Sequence, residues 1–93
     1  MKVPKISAMT LSTDGMWSGS SNTNNDHHLS SLQDAFDKIK KWMDDPEEIA
    51  WRVIDADNLV IYLSDIKYKD RVVKSAKTNF NVDISDVRVG FPK

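Results

Sequence analysis

The chain has no cysteine, three glycines, three prolines and two histidines in 93 residues. Without thiols it can form no disulfide, Cys-ligated zinc site, iron–sulfur cluster or thiolate nucleophile. Gly15, Gly19 and Gly90 are scattered, so the clustered glycines of a phosphate-cradling loop are missing. No Gly-x-Ser-x-Gly element marks a hydrolase nucleophile. No apolar run approaches the roughly 18 residues of a membrane span, so no membrane contact is expected. The mildly basic start, Met1-Lys2-Val3-Pro4-Lys5, is followed by Ser7, Thr10, Ser12 and Asp14, which break any signal-like apolar segment. A cytoplasmic location is expected.

What is present is the mixture of an ordinary globular chain, 40% hydrophobic and 29% charged, which suits one domain over residues 1–93. Its net charge of −1 hides a polarity along the chain. Residues 29–65 hold nine acidic against four basic groups, and residues 66–93 hold seven basic against three acidic groups. Such a division can turn a basic face toward an acidic partner.

Residues 5–12 alternate loosely and read as a strand. Thr13-Asp14-Gly15 is a turn signal, and Met16-Trp17 can begin a return strand that pairs with the first. Residues 18–26 contain no apolar side chain, so a flexible polar loop is expected over residues 18–28. Leu29, Leu32, Phe36, Ile39 and Met43 recur at spacings of three and four, with Ala35 and Trp42 widening the stripe. That periodicity predicts a helix over 29–43, opened by a Ser30/Gln33 capping box and closed before Asp45-Pro46. Residues 50–55 and 59–64 are strand-like around Asp55-Ala56-Asp57-Asn58. A three-residue loop with Asn58 left-handed would put Trp51, Val53, Leu59, Ile61 and Leu63 on the helix-covered face. A four-residue loop would reverse part of that assignment. A second helix is expected over 66–78, N-capped by Asp65, with Ile66, Val72, Val73 and Ala76 inward and Phe80 packed just beyond it. Residues 87–91 close the series as a strand.

The order strand, helix, strand, strand, helix, strand predicts an α+β two-layer sandwich of ferredoxin-like βαββαβ topology. Its four-stranded antiparallel sheet would carry both helices on one face. The other face would then expose Arg52, Ile54, Val60 and Tyr62, with Arg88 nearby on the last strand.

Chemistry-bearing clusters are few. Asp26-His27-His28 is the one metal-like group, but adjacent histidines diverge and no second cluster completes a shell, so no metal and no cofactor is expected. Asp44, Asp45, Glu47 and Glu48 surround a helix end and are explained by capping and solvation. The strand Leu59-Val60-Ile61-Tyr62-Leu63 lacks the basic-Gly-aromatic signature of RNA-recognition sheets. No catalytic residue is assigned. The expected function is a non-enzymatic interaction module (an adaptor, inhibitor or homodimer-forming accessory protein) that binds a protein or a second copy of itself. Its contact surface would be Arg52, Ile54, Val60, Tyr62 and Arg88, with Trp17 as a further anchor. The alternative is nucleic-acid binding through that face and the basic helix residues Lys67, Arg71, Lys74 and Lys77. Under the first reading Tyr62 would face outward, and Tyr62→Glu would abolish dimerisation or partner capture while leaving folding intact; a harmless Tyr62→Glu with a disabling Lys74→Glu would point to the alternative.

Overall fold

Two adjacent strands that are apolar on both sides set the architecture. The structure, a computed structural model, describes residues 4–22 and 29–92. In chain order these form β1 (Ile6–Ser12), β2 (Trp17–Ser21), α1 (Leu32–Trp42), β3 (Glu48–Asp55) and β4 (Val60–Leu63), then a 3-10 turn (Ile66–Tyr68), α2 (Lys69–Phe80) and β5 (Asp86–Val89). The strands make one five-stranded mixed sheet in the order β2-β1-β3-β4-β5, in which every neighbouring pair is antiparallel except β4 and β5. No helix among the described residues is long and apolar enough to cross a membrane.

The α+β class is as expected, but the ferredoxin-like arrangement is not. There are five strands rather than four, one pair is parallel, and the helices lie on opposite faces. α1 brings Ala35, Phe36 and Ile39 onto Ile6, Ala8, Trp51, Val53, Val60 and Tyr62. α2 brings Val72 and Ala76 onto Ile54, Ile61 and Leu63. The connections supply the reason. β2–α1–β3 joins two parallel strands across β1, and β4–α2–β5 joins parallel neighbours. Both crossovers step the same way across the sheet but leave from strands that point in opposite directions. Crossovers of one hand, the right-handed sense that chirality favours, must then place their helices on opposite faces.

The hairpin between β3 and β4 decides which side chains go where. Asp55 pairs with Val60, so the loop is the four residues Ala56, Asp57, Asn58 and Leu59. Leu59, not Asn58, takes the left-handed conformation, at φ 59°. The Asp55 carboxylate fixes the turn by accepting from the Asn58 backbone N–H at 3.2 Å and its side-chain amide at 2.9 Å. Relative to a three-residue loop, every side chain of β4 changes face. Val60 and Tyr62 join Trp51 and Val53 under α1, while Ile61 and Leu63 join Ile54 under α2. The uncovered sheet face predicted from sequence therefore does not exist. Arg52, Ile54, Val60 and Tyr62 are all buried, and they are divided between two cores.

Residues 18–21 are also not loop. They pair with β1, Ser18 opposite Thr10 and Ser21 opposite Ser7, so the hairpin begun at Met16-Trp17 runs on as an edge strand. Gly19 permits the close approach, because a Cβ there would run into the Ala8 carbonyl oxygen and lie 2.8 Å from the Met9 Cα. Beyond the strand, the buried Asn22 side chain donates to the Leu29 carbonyl and accepts from the Leu29 N–H at 3.0 Å. This clasp ties β2 to the approach of α1. The remainder of the expected loop, including Asp26, His27 and His28, lies outside the described residues.

The helix ends follow their sequence signals with small shifts. Ser31 rather than Ser30 caps α1, accepting from the Asp34 N–H at 3.0 Å, and the Asp34 carboxylate accepts from the Ser30 N–H at 3.1 Å. Asp34 also pairs with Lys38 at 2.9 Å. Hydrogen bonding to Lys38, and next to the Ser30 N–H, holds the Asp34 carboxyl below its usual range. Its contribution is thus complete above an ordinary carboxylate pKa and is lost as pH falls through the lowered value. Asp65 caps the 3-10 turn by accepting from the Lys67 N–H, and α2 proper starts at Lys69. Ile66, expected inward, is consequently exposed. Asn81, left-handed at φ 57°, ends α2.

In urea titrations, Phe36→Ala and Ile61→Ala should each cost about 2–5 kcal/mol, and Tyr62→Ala should fall in the same range because its ring packs edge-on to Phe36 at 4.9 Å. Tyr62→Glu, which buries a charge, should unfold the protein by circular dichroism. Gly19→Ala should lower the midpoint, since the neighbouring backbone has to move.

Candidate functional site

With both sheet faces covered, functional groups must lie at the ends and edges of the sheet or in clefts beside the helices. Three such places stand out.

The first is a polar cluster beneath α2. Met9, Arg52 and Trp17 share this face through the pairings of β1 with β2 and β3. Arg52 is only 4% exposed. Its guanidinium donates to Ser75 Oγ at 3.1 Å and to Met9 Sδ at 3.0 Å, and it lies over the Trp17 ring at 4.9 Å. Trp17 in turn meets Tyr68 edge-on at 5.5 Å. Among the described residues no carboxylate pairs with Arg52, and Arg52 Nε and Trp17 Nε1 are buried without a hydrogen-bond partner. Burial lowers the Arg52 pKa from its usual value, but a guanidinium remains ionised at neutral pH. The cation is therefore held by an aromatic face, a thioether and one hydroxyl, which is thin compensation for its lost hydration. Trp17 acts here as the lid over Arg52.

The second is a cleft of about 460 Å³ on the α1 side, between the β1–β2 hairpin and the C-terminal end of α1. Thr10, Ser18 and Ser20 line one wall because alternate residues of paired strands point the same way. Trp42, Lys41 and Glu48 line the other, and Glu48 Oε2 is buried without a hydrogen-bond partner among the described residues. The cleft offers hydroxyls, one indole face and charges of both signs, and can hydrogen-bond a small polar molecule. The sequence carried a sign of it only in the serine-rich stretch, which read as loop.

The third is the end of the sheet where β1, β4 and β5 finish and β2 and β3 start. Among the described residues six large hydrophobic side chains are exposed, and five belong to this end: Met16, Ile49, Ile66, Val89 and Phe91. Met16 is 64% exposed, Val89 58%, Ile49 57% and Ile66 54%. Only Leu59 lies at the opposite end. Phe91 folds back from β5 to stack on Trp51 at 4.5 Å, with Lys40 over its outer ring face at 5.2 Å.

Of the residues singled out from sequence, Arg52 and Trp17 are brought together, although beneath α2 rather than on an open sheet. Ile54 and Val60 serve opposite cores. Tyr62 and Arg88 are adjacent, with Arg88 Nη1 at 3.5 Å from the Tyr62 hydroxyl, but only Arg88 reaches solvent. Lys67 on the 3-10 turn and Arg71, Lys74 and Lys77 on α2 are exposed as expected, and Lys77 lies 3.6 Å from Asp83. No group of three histidines or acidic residues among the described residues could hold a metal ion. No protein-family model, curated protein or solved structure matches this chain.

Replacing the Arg52 cation by an apolar chain of similar length removes the unmatched desolvation. Arg52→Met should be neutral or stabilising, by up to about 2 kcal/mol in urea unfolding, while Arg52→Ala should be destabilising because the packed stem is lost.

Proposed function

We propose that this protein is a non-enzymatic protein-binding module that docks its partner against the end of the sheet bearing Met16, Ile49, Ile66 and Val89. The observation that carries this reading is the segregation of exposed apolar side chains. The fold buries both sheet faces, yet among the described residues it leaves five of six exposed large hydrophobic groups at one end. Scattered apolar residues need no explanation, but a concentrated set suits a contact with another protein. Lys40 and Arg88 nearby supply a polar rim. The two cores require nothing from these four side chains, so their hydrophobicity is available for binding.

A second reading, binding of a nucleic acid through α2, is favoured by a different observation. Lys67, Arg71 and Lys74 are exposed and have no carboxylate within ion-pair distance among the described residues. The overall charge of −1 works against strong phosphate affinity, so this reading ranks second.

The two separate cleanly in affinity capture with salt-graded elution. Under the first reading, protein partners resist elution by moderate salt, and an Ile49→Asp/Val89→Asp variant with an unchanged circular dichroism spectrum loses them. Lys74→Glu should retain them. Nucleic acid that elutes at moderate salt, with loss on Lys74→Glu and indifference to the apolar substitutions, would replace the first reading with the second.

A further inference from the structure

The free edge of β5 carries a self-complementary charge pattern, and we infer that two copies of this chain pair antiparallel along it into a continuous ten-stranded sheet. This inference concerns the backbone edge of β5; it shares Val89 and Arg88 with the docking reading but does not depend on it. Among the described residues β5 ends the sheet, with β4 on one side and no strand on the other. The Asp86 and Gly90 N–H groups donate to the Leu59 and Leu63 carbonyls of the preceding hairpin, at 3.2 and 2.8 Å. Backbone groups alternate sides along a strand, so the N–H and C=O of Val87 and Val89 point to the open edge. Edges are commonly blunted by shortness, charge, proline or a bulge; Asp86-Val87-Arg88-Val89 is short and charged, but it has no proline or bulge and its two charges are of opposite sign.

The outward groups allow only registers that differ by two residues. Placing Val87 opposite the second copy's Val87 lets the two exchange both backbone bonds across a two-fold axis. Arg88 then stands opposite Asp86 of the second copy and Asp86 opposite its Arg88. Directly opposed side chains share a face, at Cβ separations of roughly 4.5–5.5 Å. Within one chain Arg88 Nε already donates to Asp86 Oδ2 at 2.7 Å, with both side chains about half exposed, so both are on hand at this edge. The next permitted register, Val87 opposite Val89, sets Arg88 against Arg88 and is repulsive. Charge thus selects one alignment, with two ion pairs around a Val87–Val87 centre.

Sedimentation equilibrium over a range of protein concentrations tests the pairing. Wild type should show a monomer–dimer equilibrium. Arg88→Asp and Asp86→Arg should each weaken it by about tenfold or more, since like charges then face each other twice. The double exchange Asp86→Arg/Arg88→Asp restores opposite charges in the same register and should return the dissociation constant to near the wild-type value. A monomer up to millimolar concentration, or a dimer indifferent to the single reversals, would overturn the inference. Circular dichroism of each variant separates loss of pairing from loss of fold. The Ile49→Asp change that tests partner docking should leave this equilibrium unmoved.

Discussion

The pair β3–β4 is apolar on both of its faces, and the rest of the molecule is arranged to keep water from both. Trp51, Val53, Val60 and Tyr62 look one way, and Ile54, Ile61 and Leu63 look the other. A strand buried on both sides belongs in the middle of a sheet with a cover on each face. One helix could not do this, and two helices on a single face would leave three large aliphatic groups wet. The crossovers on either side of the hairpin resolve the matter through handedness. Each carries its helix to the face that the other leaves open.

Covering both faces has consequences for function. A sheet face is a broad binding surface in two-layer folds, and here it has been given up to stability. What remains for recognition are the ends of strands, the two edge strands and the shallow spaces beside the helices. Exposed apolar groups collect at one end of the sheet, and among the described residues the outer edge of β5 is unpaired. The buried Arg52 is the exception within this economy. It sits where an apolar residue would serve α2 packing better, and the aromatic ring of Trp17 from the far edge of the sheet reaches across to shield it.

Much of the local structure was legible in the residues themselves. The α1 stripe, the stop at Asp45-Pro46 and the capping by Asp65 follow from short-range rules, because helix periodicity and end chemistry are satisfied within a few residues. The run Leu59-Val60-Ile61-Tyr62-Leu63 also carried more information than an alternating reading took from it. The four consecutive apolar residues Val60 to Leu63, without a polar face, mark a strand buried on both sides, and that signal argues against an open sheet face.

Sequence alone determined both helices, four of the five strands, the apolar stripe of α1 and the basic character of α2. The tertiary structure decided which side of the sheet each side chain occupies. A single additional residue in the Ala56–Leu59 loop inverts β4, and nothing local distinguishes the two loops strongly enough to settle it. Only tertiary structure showed residues 18–21 as a strand, because serine and glycine have little intrinsic strand preference and are held by the ladder that β1 offers. The gathering of Met16, Ile49, Ile66 and Val89 at one end was likewise invisible along the chain. Those residues are separated by tens of positions, and it is the up-and-down course of the strands that returns them to the same end of the sheet.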